Sequence, residues 1–338
     1  MPLFSAAGVI DPAGLIRPGQ IDQTGDINAT AVTEYSEQVQ HTIERRSVLR
    51  GMVPMRSVRG TNKIGNFGFG KSVVGVVTPG EAPAATKNDV GRNTLTIDTL
   101  VYTRHAVPLL ESFQTSYDAR VELGTEDGIE MSKMIDGALF IQAAKAGMAT
   151  KNKYSSVANK PAGWSGGTQV PFAAAGDITD PAKLYSAIST LMAKMEEKDV
   201  VPQQDDIILA MRPREFYTLQ NAEQIINGCY VTANGTKLEG VPIFKAFGCP
   251  VVRSMNFPQS NITGHQLSNA NNGNAYDGDF TKLGLLAFSP RALMAGETIP
   301  LESDLFYDKI YKSWFVDSHT SFGVTTDRVE YAGAIVLP

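Results

Sequence analysis

Lys63-Ile64-Gly65-Asn66-Phe67-Gly68-Phe69-Gly70-Lys71-Ser72-Val73-Val74-Gly75-Val76-Val77-Thr78-Pro79-Gly80-Glu81 is the stretch on which the reading of this 338-residue chain turns. Ile64–Val77 alternates loosely between apolar and other residues and is interrupted by glycines, a strand pattern rather than a helical one. A turn-rich segment follows to Gly91. Asn93–Tyr102 then resumes the pattern, with Leu95 and Ile97 set against Thr94, Thr96 and Asp98. Together these segments predict one long antiparallel hairpin. Two strands alone are marginal in water, so a hairpin of this length must lie on something. If it projects from the body, a neighbouring subunit is the natural support.

The same stretch contains Gly65-Asn66-Phe67-Gly68-Phe69-Gly70-Lys71-Ser72, which matches the phosphate-binding pattern G-x-x-x-x-G-K-S. That loop works by aiming the amides of a following helix at phosphate. Here Val73-Val74-Gly75-Val76-Val77-Thr78-Pro79 follows, which cannot be that helix, so a glycine-rich hairpin strand is the better reading. Gly163-Trp164-Ser165-Gly166-Gly167 matches the nucleophile elbow G-x-S-x-G. Its flanks read as loops rather than as a strand and a helix, which argues against a serine hydrolase using Ser165.

Before the hairpin, residues 1–30 are polar, rich in glycine and proline, and predict an extended arm. Val32, Tyr35, Val39 and Ile43 then recur at helical spacing between a capping Thr30 and Gly51. After the hairpin, Tyr117, Val121, Gly128, Met131, Ile135, Ala138, Leu139, Gln142 and Ala146 predict a long helix over Ser116–Ala149. A glycine-rich loop spans 151–176. Asp180-Pro181 opens a further helix with a cap and a first-turn proline, and its apolar stripe is Leu184, Ile188, Leu191 and Met195. Short strands are expected at Ile207–Ala210, Val241–Phe244, Val251–Arg253 and Leu283–Phe288, with a short helix at Arg214–Ile226. Asn269–Asp279 reads as a polar loop. Leu305–Val316 and Arg328–Val336 read as strands returning to the main sheet. Strands and helices mix without long βαβ units, so the class is α+β.

Composition narrows the function. The net charge of −5 argues against a protein that holds nucleic acid by neutralising phosphates. No apolar run approaches the length that crosses a bilayer, and no membrane association is expected. The start Met1-Pro2-Leu3-Phe4-Ser5 lacks a secretory pattern, so folding in the cytosol is expected. Cys229 and Cys249 have no metal or redox spacing and read as buried thiols. His41, His105, His265 and His319 are scattered, without partners at metal-ligand spacing. No catalytic residue, metal or cofactor is expected, and the chain is not expected to be an enzyme.

The order of elements, together with local strings, resembles the major capsid proteins of tailed bacteriophages, in particular the T-seven-like short-tailed (podovirus) group. The strings are Thr78-Pro79-Gly80-Glu81, Thr96-Ile97-Asp98, Tyr117-Asp118-Ala119-Arg120, Asp136-Gly137-Ala138, Val201-Pro202 and Arg328-x-Glu330-x-Ala332-Gly333-Ala334. The resemblance covers residues 30 to 338. It implies the HK-ninety-seven-type fold: an N-terminal arm over 1–52, an extended hairpin loop over 58–104, a peripheral domain with a spine helix over 105–181 and 301–338, and an axial domain over 182–300. It further implies hexamers and pentamers in an icosahedral head of the virion, enclosing double-stranded DNA without sequence-specific binding. A scaffolding protein, a portal protein and possible decoration proteins are the implied partners, and assembly takes place in the host bacterial cytoplasm. An encapsulin-type cellular nanocompartment shell is the alternative on the same fold.

One relative of this fold crosslinks a hairpin lysine to a neighbour's asparagine, and Lys63, Lys71 and Lys87 lie in the corresponding loop; T-seven-like members are not known for that reaction. The expected subunit interface comprises Val32, Tyr35, Val39 and Ile43 of the arm helix, with Phe67, Phe69, Val74, Val76 and Glu81 of the hairpin. Apolar groups on projecting elements are costly unless a partner covers them.

Overall fold

The structure is a computed structural model. It describes residues 47–108 except 71, 73, 78, 81, 83, 84, 86 and 87, and residues 120–154, 166–202, 204–222 and 245–338. The first elements are β1 (Met55–Ser57), β2 (Lys63–Phe69), β3 (Val90–Thr96), β4 (Val101–Pro108) and α1 (Arg120–Met148). The middle of the chain forms β5 (Thr168–Pro171), α2 (Pro181–Glu196), β6 (Ile208–Met211), α3 (Pro213–Gln220), β7 (Lys245–Ala246) and β8 (Cys249–Arg253). The remainder forms β9 (Asn261–Ile262), β10 (Gly278–Asp279), β11 (Leu283–Phe288), β12 (Leu293–Asp308), β13 (Ser313–Thr326) and β14 (Ala332–Val336). The described residues divide into two compact units, one within 48–98, 135–297 and 323–338, the other comprising 47, 99–108, 120–134 and 298–322.

The first unit is built on a six-stranded sheet in the order β5-β14-β11-β6-β8-β7. β6 (Ile-Leu-Ala-Met) and β11 (Leu-Gly-Leu-Leu-Ala-Phe) are buried at every position, the pattern of strands covered on both faces. Asp180 caps α2, its carboxylate accepting from the backbone N–H groups of Ala182 at 3.0 Å and Lys183 at 3.4 Å. With Pro181 at the first helical position, the helix starts where the local chemistry dictates. Its stripe Leu184, Ile188, Leu191 and Met195 is fully buried and packs with Leu209, Leu285 and Ile335 of the sheet. Gly147 near the end of α1 lies so close to β14 that an added Cβ would stand 3.1 Å from the Gly333 carbonyl.

The β2–β3 hairpin belongs to this unit. Its antiparallel register runs from Lys63↔Thr96 to Phe69↔Val90. β1 pairs in parallel with the start of β12, Met55↔Ala295 to Ser57↔Glu297. The ladder is shorter than the alternation predicts. Val74, Val76 and Val77 carry no strand pairing, and the sequence that follows contains Pro79 and Pro83, which have no N–H to donate to a ladder. The return strand ends at Thr96. There Asp98 accepts from the amides of Asn269 at 2.8 Å and Asn271 at 3.0 Å, and the chain leaves the hairpin.

In the second unit β4 pairs antiparallel with β13, from Val101↔Thr320 to Pro108↔Ser313. Leu305–Val316, expected as one strand, contains the turn between β12 and β13. Asp308 accepts from the N–H of Ile310 at 2.7 Å, and Lys312 adopts φ 51°, the side-chain-to-backbone bond and left-handed residue that close a tight turn. Three smaller differences concern element ends. Val329–Tyr331 is a single 3-10 turn before β14, α3 ends at Gln220, and β5 occupies part of the expected glycine-rich loop. The arm helix, Val241–Phe244, residues 116–119 and residues 223–226 lie outside the described residues.

Candidate assembly surfaces

Strict alternation along β3 gives the hairpin two unlike faces. Val90, Arg92 and Thr94 are exposed, while Gly91, Asn93 and Leu95 are buried. On β2, Phe67 and Phe69 share the outer face and are 57% and 60% exposed; Val90, opposite Phe69, is 52% exposed. Beyond the ladder Val74 and Val76 are almost fully exposed, at 94% and 99%. Phe67, Phe69, Val74 and Val76, expected from sequence as interface residues, are therefore all exposed to solvent. Glu81 and the arm residues Val32, Tyr35, Val39 and Ile43 lie outside the described residues.

The inner face is locked to its unit in two ways. Leu95 and Ile97 pack with Val58 and Met294, and Ile64 lies against this cluster. A polar lock sits beside it, centred on the buried carboxylate of Asp327. Asn66 donates to its Oδ2 at 2.6 Å, and Asn93 and the Tyr154 hydroxyl donate to its Oδ1 at 3.1 and 2.5 Å. Asn93 also donates to the Thr326 carbonyl at 2.9 Å. Burial and the neighbouring Asp327 carboxylate push the Tyr154 hydroxyl pKa well up. Three residues after Asp327 is Glu330, 3% exposed, which accepts from Asn152 at 2.5 Å and whose carboxyl is pushed up by burial. None of these roles was visible in the sequence, where Asn66 and Asn93 look like ordinary turn-prone polar residues.

A second exposed surface was also missed. The β12–β13 turn presents Ile310 and Tyr311, 85% and 72% exposed. Behind it the strands carry an aromatic ladder, with Phe306 stacked on Phe315 at 5.5 Å and Tyr307 tilted against Trp314 at 5.1 Å. The signal available in the sequence was the density of aromatics from 306 to 315.

Among the described residues neither chemistry-like motif is followed by the helix that its chemistry needs. Lys71 and Ser165 lie outside the described residues; β2 runs through the first motif, and the segment after Ser165 becomes strand β5, where the elbow needs a helix. Lys63 is exposed at the hairpin base, and Lys87 is outside the described residues. Cys249 is a buried free thiol whose pKa burial pushes up; Cys229 is outside the described residues. His105 pairs with Asp127 at 2.7 Å, His319 lies 3.7 Å from Glu302, and His265 stacks on Tyr276. Among the described residues no three His, Cys, Asp or Glu side chains converge as metal ligands, and no helix is long and apolar enough to cross a membrane.

No protein-family model matches the chain, and no curated protein matches its sequence. Solved structures do. The capsid of the cyanophage P-SCSP1u superposes with a TM-score of 0.72 at 18% identity, over 86% of this chain and 88% of that one. The asymmetric unit of the bacteriophage PhiM1 mature capsid gives 0.69 at 21% identity, over 86% and 87%. The chain has the HK-ninety-seven-type capsid fold. A virus-like particle from Pyrococcus furiosus shares this capsid fold more distantly, with a TM-score of 0.53 at 11% identity over 91% of this chain and 99% of that one. The α+β class expected from sequence and the capsid fold implied by the resemblance agree with these superpositions.

Proposed function

We propose that this chain is the major capsid protein of a tailed bacteriophage, of the T-seven-like short-tailed group, and not an enzyme. The observation that carries the reading is the superposition on phage capsid chains over nearly nine-tenths of their length. The exposed apolar hairpin face supports it, because a hairpin with Phe67, Phe69, Val74 and Val76 in solvent calls for a covering partner. Burying the exposed half of each phenylalanine stabilises a contact by roughly 1 kcal/mol. Such a term is small alone, but it is repeated at every subunit of a closed shell.

In this reading the arm is residues 1–52 and the overlapping loop 58–104. The peripheral domain is 105–181 with 301–338, and the axial domain 182–300. Copies form hexamers and pentamers of an icosahedral head around double-stranded DNA, assembled in the host cytoplasm with scaffolding and portal proteins and, where present, a decoration protein. A cellular nanocompartment shell is the second reading, favoured by the match to the Pyrococcus furiosus virus-like particle. The TM-score of 0.72 to a phage capsid against 0.53 to that particle supports the phage assignment.

Electron microscopy of the chain co-expressed with its candidate scaffolding protein tests the proposal. Closed icosahedral particles or capsomer rings are expected, and particles from infected cells should hold genome rather than protein cargo. Phe67→Asp with Phe69→Asp should leave folded, unassembled subunits. A uniform monomer from the unaltered chain would refute the shell reading.

A further inference from the structure

The capsid reading leaves open where on a neighbour the hairpin crest lands, and one cavity of the first unit answers to its chemistry. This cavity, about 360 Å³, lies between the β1 segment, the 290–295 segment and the turn after β13. Leu293, Met294 and Tyr331 give it apolar walls, and Arg56, Arg291 and Arg328 also line it. Two of these have acidic neighbours: Arg291 pairs with Asp205 at 2.7 Å, and Arg328 lies 3.7 Å from Glu330. Arg56 differs. It donates to the neutral Asn66 Oδ1 at 3.0 Å and forms no ion pair among the described residues. Asp327 also lines the cavity, but its two oxygens already accept from Asn66, Asn93 and Tyr154.

A mixed pocket, with apolar walls beside an exposed arginine that has no acidic partner among the described residues, suits a short apolar segment bearing one carboxylate. The hairpin crest has that composition. Thr78-Pro79-Gly80-Glu81-Ala82-Pro83-Ala84-Ala85 holds two prolines and three alanines, and Glu81 is the only acidic residue between Lys63 and Asn88. Within it Pro79 and Gly80 form a turn, with Gly80 at φ 98°. Resting on the capsid reading, we infer that the crest of one copy docks in the Arg56 cavity of the next, with Glu81 paired to Arg56.

The test is a charge swap in the full chain under the co-expression conditions that yield shells. Glu81→Arg and Arg56→Glu are each expected to lower shell yield by about tenfold or more, since many copies of the contact are lost together. The double variant, with the charges exchanged, should restore assembly. Circular dichroism and thermal melting of the unassembled fraction check that each chain is folded, and Arg56→Gln serves as the milder variant if Arg56→Glu is not. Single variants that assemble like the unaltered chain would overturn the pairing, as would a folded double variant that fails to recover. Loss with the Arg56 variant alone would mean that the cavity takes a different acidic partner, such as the scaffolding protein, and would equally overturn it. If the unaltered chain forms no shells, the capsid reading itself falls, an outcome distinct from failure of the swap.

Discussion

Asp327→Ala is the substitution expected to separate the hairpin from its unit most cleanly. Asp327 is 4% exposed and serves three side-chain donors at once. The Tyr154 hydroxyl, in a residue 1% exposed, loses a bond where water has little access. Asn93 loses one of two bonds and keeps the Thr326 carbonyl. Asn66 is half-buried and can turn to solvent. A buried donor deprived of its acceptor costs about 1–3 kcal/mol. Tyr154 at about 2, Asn93 at about 1 and the vacated carboxylate space at about 1 give about 4 kcal/mol in all.

Urea denaturation of the unassembled subunit reads this as a shift in midpoint. Amide exchange adds the location: β2 and β3 should open faster than the fully buried strands β6 and β11. Tyr154→Phe supplies the second arm of a double-mutant cycle. Because it removes the deprived donor, it should cost at least about 1 kcal/mol less in the Asp327→Ala background than alone. A total loss under about 1 kcal/mol, or strict additivity with Tyr154→Phe, would refute the lock.

Three further outcomes can be measured on the same material. Gly167→Ala would place a Cβ 2.5 Å from the Gly147 carbonyl oxygen; it should cost about 2–3 kcal/mol by overpacking, read as a lower Tm, and an unchanged Tm would contradict the close approach. Glu330→Gln should stabilise the subunit at pH 7, because burial raises the Glu330 pKa above its ordinary 4.5 and ionisation there opposes folding. The advantage of the variant should shrink as pH falls through the raised pKa toward 4.5, since the native carboxyl then takes up its proton more readily than the unfolded one; an advantage that grows on acidification would show the wrong sign. Ile310→Ser with Tyr311→Ser should change subunit stability by no more than about 0.5 kcal/mol while lowering shell yield, and normal shells would show that this turn carries no contact.

How far the chain could be read without its fold depended on the range of the interaction concerned. Residue by residue, the sequence determined α2, because a capping Asp180, Pro181 and a four-residue stripe are all local signals. It determined β11 as Leu283–Phe288, because a short continuous apolar run between turn residues is what a strand buried on both faces requires. It also pointed to Phe67, Phe69, Val74 and Val76 as apolar side chains of the hairpin, and all four are exposed.

The sequence did not reveal β12. Its Glu297, Glu302, Ser303 and Asp304 break any apolar period, and backbone pairing with β1 makes a strand of its start regardless. It could not show that Asn66 and Asn93 meet Asp327, residues 261 and 234 positions away. Nor could it place Arg56 in a cavity with Arg291 and Arg328. Caps, periods and turns are short-range effects written in adjacent residues. Which polar groups are buried together is decided only when distant segments return to one place and exclude water from them.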